Sequence, residues 1–141
     1  GSDNTETPVA GQTYKGCYVV SVNETNHTAV LLSPTEESGY DAGTTNTATW
    51  LTLIKSKLPD WPSVNGVAGN WRIPIIKELK ASAKSLGIVN ATKSYFCMDN
   101  KNSDFGLVEI GVGNNDNVIV SQIGYSFGKN SILRPVIDIT Y

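Results

Sequence analysis

Asn70-Trp71-Arg72-Ile73-Pro74 leads directly into Ile75-Ile76-Lys77-Glu78-Leu79, and the fold is read outward from this junction. Trp71 and Ile73 alternate with Arg72, the pattern of a short extended segment with two apolar side chains on one face. Pro74 has no backbone N–H and pushes Ile73 away from helical geometry, so the chain turns there. Beyond it Ile76, Leu79, Ala83 and Leu86 recur at three- and four-residue steps, which predicts one helix over residues 75–86 with an apolar stripe. Gly87 supplies the left-handed residue that ends it. Lys77, Lys80 and Lys84 follow the flank of the stripe, the place of a solvated helix face.

Upstream, residues 14–22 and 28–32 read as strands joined by a turn at Glu24-Thr25-Asn26-His27. Residues 33–47, rich in Pro, Gly, Ser and Thr, read as a loop. Thr47 is placed to cap a first helix over residues 48–58, in which Trp50, Ile54 and Leu58 lie four apart and Pro59 ends the run. Residues 60–69 form a second loop carrying Trp61. Downstream the period changes to two. Tyr95 to Met98 is a short strand, Val108, Ile110 and Val112 alternate with Glu109 and Gly111, and residues 118–121 return across Asn114-Asn115-Asp116 as a hairpin. Residues 132–141 close the chain, with Leu133, Ile137, Ile139 and Tyr141 on one face. Two helices among antiparallel strands make an α+β domain.

The junction resembles the Trp-Arg-Leu-Pro-Thr-x-x-Glu-Leu signature of a bacterial family of C-type-lectin-like domains, found in surface proteins and in the C-terminal domains of collagen-like adhesins. Trp71-Arg72-Ile73-Pro74 and Glu78-Leu79 carry the match. Ile75 stands where the family has Thr, so the Thr-x-x-Glu capping box is broken. Gly11-Gln12-Thr13-Tyr14-Lys15-Gly16-Cys17 is similar to the family's opening strand, with Cys17 at its second Gly. Residues 28–34 resemble its second strand. Ser94-Tyr95-Phe96-Cys97 falls where the family has Tyr-Trp-Ser-Ser, and Leu133-Arg134-Pro135-Val136 matches its closing strand. The resemblance implies a C-type-lectin-like fold with paired N- and C-terminal strands. It further implies a non-enzymatic, extracytoplasmic binding or adhesion domain, taking an extracellular glycan or protein. The alternative is a structural module of a larger surface assembly, such as a pilus tip or lipoprotein, with no small ligand. Structural roles follow for Trp71, Arg72, Pro74 and Arg134, the two arginines bonding carboxylates or carbonyls.

The composition agrees with an exported domain. At 141 residues the chain has the size of one domain, charged residues are 17%, and the net charge is −2 with pI near 5.3. That balance offers no basic field to nucleic acid. No apolar run approaches the ~20 residues of a membrane-spanning helix. Residues 1–10 read as a flexible leader, suited equally to an interdomain linker or to the tether of a removed lipid anchor, and residues 11–141 as the domain. Cys17 and Cys97 both stand where the relatives have small residues, which leaves a disulfide and two buried thiols as equal alternatives.

His27 is the only histidine, which excludes a histidine triad and a multi-histidine zinc site. The run Asp99-Asn100-Lys101-Asn102-Ser103-Asp104 fails the EF-hand spacing. Asn114-Asn115-Asp116 reads as an ordinary turn, so neither metal nor cofactor is expected. Cys17, inside an apolar strand, is structural. Trp50 and Trp71 belong to apolar patterns. Trp61 is either a stacking platform for a sugar or a plug over the core. A ligand, if bound, is expected on the loops, at Tyr40, Asp41, Trp61 and Tyr125, where aromatic rings and hydrogen-bonding groups are free of motif duty.

Overall fold

The computed structural model describes residues 7–88, 91–100 and 104–141, with the backbone alone at Asp116. The leader up to Glu6, and Lys101, Asn102 and Ser103 of the discounted calcium run, lie outside the described residues. The chain is α+β, with two α-helices and two antiparallel sheets among the described residues.

The first strand read from the sequence is two. Thr13–Tyr14 (β1) and Cys17–Asn23 (β2) are joined by Lys15 and Gly16, both left-handed at φ 52° and 84°. Two such residues in succession make the tight hairpin turn whose twist suits the flanking strands. A second turn, in which Asn23 Oδ1 accepts from the Asn26 N–H at 3.1 Å, leads into Thr28–Leu32 (β3). The first helix, Thr47–Lys57 (α1), is capped one residue earlier than expected: Asn46 is extended, and its Oδ1 accepts from the Thr49 N–H at 3.1 Å.

Trp71–Arg72 (β4) is the short extended segment expected from its alternation. The helix behind it is shorter than its apolar stripe. Ile76–Ala81 (α2) breaks at Ser82, whose buried hydroxyl donates to the Glu78 carbonyl at 2.7 Å, a back-bond that competes with helix continuation. A 3-10 turn, Ala83–Leu86, carries on the stripe until Gly87 at φ 76°. Half of the capping box survives. Ile75 has no side-chain acceptor, yet Glu78 Oε1 still reaches back to the Ile75 N–H at 2.9 Å. Thr92–Met98 (β5), Phe105–Val112 (β6) and Val118–Val120 (β7) form the second sheet in that order, and Val136–Thr140 (β8) closes the chain.

The first sheet runs β1-β2-β3-β8-β4. The strand after Tyr14 therefore does not pair with the strand ending at Tyr141, as the resemblance implied; β3 lies between them. Local hairpins, whose loops cost little chain entropy to close, occupy both edges of β2, with β1 on one side and β3 on the other. Strand β8 then adds to the remaining edge of β3, in register from Thr28↔Thr140 to Leu32↔Val136.

Both faces of this sheet are covered. Ala29, Leu31 and Ile137 face one cluster with Trp50, Ile54, Trp71 and Ile73. Leu32 and Val136 face the other, with Leu79, Ala83, Leu86 and Tyr95. The two helices thus serve opposite faces. The second sheet is tied in where Met98 N–H donates to the Pro74 carbonyl at 2.9 Å and Tyr95 bridges to Ile132. The proline of the signature is the point where the sheets meet.

Candidate functional site

The motif arginines are spent on holding the chain. Arg72 donates from Nη1 and Nη2 to the two carboxylate oxygens of Glu78, and from Nε to Asp138 on β8 at 2.7 Å. Burial alone lowers the pKa of this guanidinium, but the two carboxylates outweigh it and the net shift is upward. Arg134 donates from Nε to the Ser33 carbonyl at 2.8 Å and from Nη1 to Glu36 at 3.0 Å. Glu36 also accepts from the Tyr95 hydroxyl at 3.0 Å and pairs with Lys93 at 3.3 Å. Burial, and then Glu36, push the Tyr95 hydroxyl upward against the opposing effect of Arg134. One carboxylate on the first long loop thereby fastens that loop to β5 and to the run before β8. Nothing in the local pattern of the loop singles out Glu36.

The four loop residues named as ligand candidates are not brought together as one site. Trp61 is buried, 6% exposed, and its Nε1 donates to the Ser33 hydroxyl at 2.9 Å, so it plugs the core and is no stacking platform. Tyr40 is half-buried, packs 6.3 Å from Phe96 and donates from its hydroxyl to Glu37; burial and Glu37 raise its pKa. Asp41 closes a tight turn by accepting from the Gly43 N–H at 2.8 Å. Tyr125 alone presents its ring, 48% exposed.

Cys17 and Cys97 are separate buried thiols, so the disulfide alternative does not describe this structure. Cys17 packs in the cluster of α1 and Cys97 in that of α2. Burial raises the pKa of Cys17, and burial with Asp99 pushes Cys97 up to about 12, which suppresses the reactive thiolate in both. Among the described residues no group of three or more His, Cys, Asp and Glu is placed to hold a metal, and no helix is long and apolar enough to cross a membrane.

Two clefts bear on ligand binding. One, of about 280 Å³, lies where the sheets meet, between Lys55, Leu58, Ile73, Ile75 and Met98, with Arg72 and Asp138 at its edge. Its walls are apolar, and its motif arginine is engaged by carboxylates.

The other, of about 460 Å³, opens on the second sheet. Its walls follow from register. On one face the β5–β6 partners run Phe96↔Leu107, Ser94↔Glu109 and Thr92↔Gly111. The first pair is sealed in the core, so the face emerges into solvent at Ser94 and Glu109. The chain after β7 then folds alongside: Ser121 accepts at Oγ from the Glu109 N–H at 2.9 Å, and Gly124 exchanges backbone hydrogen bonds with Leu107 at 2.7 Å each. That places Gln122, Gly124 and Ser126 along the rim. Gly124 and Ser126 flank the exposed Tyr125. The hydroxyls of Ser94 and Ser126, the Glu109 carboxylate and the Gln122 amide have no protein partner among the described residues.

Sequence reasoning found Tyr125 and missed the polar groups of the cleft that its chain neighbours Gly124 and Ser126 border. The available signal was Glu109, the charged residue within the apolar alternation of residues 105–112, together with Ser121-Gln122-Ile123-Gly124-Tyr125-Ser126. No family model, no curated protein and no solved structure matches the chain.

Proposed function

We propose that this chain is a non-enzymatic binding domain of an exported bacterial surface protein, C-type-lectin-like in fold. Its ligand is a neutral, hydroxyl-rich molecule, such as a sugar unit of an extracellular glycan, seated in the cleft of Ser94, Glu109, Gln122 and Ser126. The observation that carries this reading is the uncommitted hydrogen-bonding groups of that cleft, on a rim whose residues Gly124 and Ser126 are the chain neighbours of the exposed Tyr125. Hydroxyls and a carboxamide both donate and accept, and a carboxylate accepts from paired sugar hydroxyls. An aromatic face covers the apolar side of a pyranose. The Glu109 carboxylate, with no cation on the lining, disfavours anionic ligands. Export is supported by the low charge content and by the family resemblance, and a lipid-anchored tether remains part of the proposal.

Isothermal titration against neutral oligosaccharides chosen from a glycan array tests it. Tyr125→Ala and Glu109→Gln are expected to weaken binding at least ~10-fold, the scale of one lost stacking or charged contact, with the melting temperature retained. Binding that survives both substitutions, or a blank array, overturns the reading. A blank array would favour the structural-module alternative.

A further inference from the structure

The second sheet ends on an open strand. In the order β5-β6-β7, β7 has a neighbour on one side only among the described residues. The phase of its ladder is set by Gly113 N–H donating to Asn117 O at 2.8 Å and Ser121 N–H donating to Glu109 O at 3.0 Å. Alternation turns the Ile119 backbone toward its partner Gly111, so the N–H and C=O groups of Val118 and Val120 point outward.

Natural sheets guard such an edge with lysine, proline or an inward charge. None is present here: residues 117–128 contain no charged residue and no proline. Ile119 stands 56% exposed on the same sheet face as Glu109, one of the few large apolar side chains left in solvent. Beside it lies a hollow of about 420 Å³ bordered by Gly111, Gly113, Thr92 and Ala91, shallow because its glycines carry no side chain.

We infer that β7 is a self-association edge, on which β7 of a second copy of this chain pairs antiparallel. The edge favours a copy of itself over a charged peptide strand because an uncharged run laid antiparallel on itself meets no like charge. The backbone phase dictates the register. Val118 and Val120 are the groups able to bond outward, so Val118 pairs with Val120 of the second copy and the reverse. Ile119 then faces its own counterpart across a non-hydrogen-bonded pair, where side chains approach most closely. The two isoleucines cover each other's exposed side chain, and the two sheets become one. Directly opposed side chains share a sheet face, so the Glu109 clefts of both copies open to the same side. Such a pair would bind a multivalent surface with avidity.

Sedimentation equilibrium of the intact chain at concentrations up to about 1 mM tests the inference. A monomer–dimer equilibrium is expected. Ile119→Lys, which sets like charges against each other, and Val120→Pro, which removes an outward N–H without touching the β6 ladder, should each shift the protein to monomer with an unchanged melting temperature. Ile119→Cys should yield a covalent dimer under mild oxidation, whereas Thr92→Cys on the opposite edge should not. A wild-type monomer throughout, a dimer indifferent to both Ile119→Lys and Val120→Pro, or failure of the introduced thiols at position 119 to bridge would each overturn the proposal. The Ile119→Lys monomer keeps its single cleft, so loss of self-association is separable from loss of ligand binding.

Discussion

Arg72 grips Glu78 through two parallel hydrogen bonds, Nη1 to Oε1 at 2.8 Å and Nη2 to Oε2 at 2.6 Å. The same carboxylate holds the Ile75 N–H, so one side chain fixes the start of α2 and the end of β4 together. The threonine half of the capping box is missing, and the Glu78 N–H that a threonine oxygen would accept donates instead to the Ile75 carbonyl at 3.0 Å.

Glu78→Ala should therefore cost about 3 kcal/mol, toward the lower end for a broken buried pair because the Arg72 side chain keeps 23% of its exposure. Glu78→Gln, which retains a hydrogen-bonding oxygen for Ile75, should cost less. Urea unfolding measures both, and equal losses would show that the helix start does not depend on that oxygen.

Trp71 is 5% exposed, and its indole Nε1 is buried with no hydrogen-bond partner among the described residues. Trp71→Ala should destabilise by about 3–5 kcal/mol, as expected for a large-to-small core change. Trp71→Phe should cost only about 1–2 kcal/mol, since it also removes an unsatisfied donor. Thermal or urea unfolding compares them. A Phe variant as unstable as the Ala variant would mean that the indole N–H has a partner after all.

Trp61 and Ser33 pair across the core at 2.9 Å, and the Ser33 hydroxyl also receives the Thr35 N–H. Trp61→Phe and Ser33→Ala should each lose about 1–3 kcal/mol, the range for stranding a buried polar partner. Their double variant should lose less than the two losses combined, by roughly 0.5–3 kcal/mol of coupling. Strict additivity in unfolding experiments would remove the bond as a source of stability. Ligand affinity should stay unchanged throughout, because Trp61 is a plug.

Alkaline pH should unfold the protein. Burial, aided by Asp99, holds the Cys97 thiol protonated up to about 12, against 9.0 for an ordinary thiol. A raised folded-state pKa gives stability that is complete below the unfolded value and is lost as pH climbs toward the folded one. Unfolding free energy should thus be level up to about pH 9 and then fall by about 1.4 kcal/mol per pH unit per such thiol. Cys97→Ala should flatten that slope by one group. A stability curve level to pH 12 would show that Cys97 is not secluded.

Local pattern carried the sequence reading far at Trp71-Arg72-Ile73, along the Ile76-Leu79-Ala83-Leu86 stripe and at the β6–β7 hairpin, because there the period and the burying face belong to one element. It misled where an outcome depends on distant chain. Nothing near Val136 announces that β8 slots between β3 and β4. Glu36 is an unremarked acid in a Pro/Ser/Thr-rich loop, yet its partners Lys93, Tyr95 and Arg134 lie on far segments. Phe96, Phe105 and Phe127 come from three separate segments to stack within 5.3–6.0 Å of one another. The cleft was half legible: Tyr125 stood out between Gly124 and Ser126, while Ser94 and Glu109 acquire meaning only through their register.

The position of β8 has a consequence for the order of events during synthesis. It is made after the other four strands of its sheet, yet it is an inner strand, with β3 on one side and β4 on the other. Until it arrives, a nascent chain presents two unfinished edges, with the cluster around Trp50 and Trp71 lacking Ile137. The local hairpins can form early, since their partners are near in sequence. The β3–β8–β4 closure must wait, and during that interval the chain is most open to mispairing.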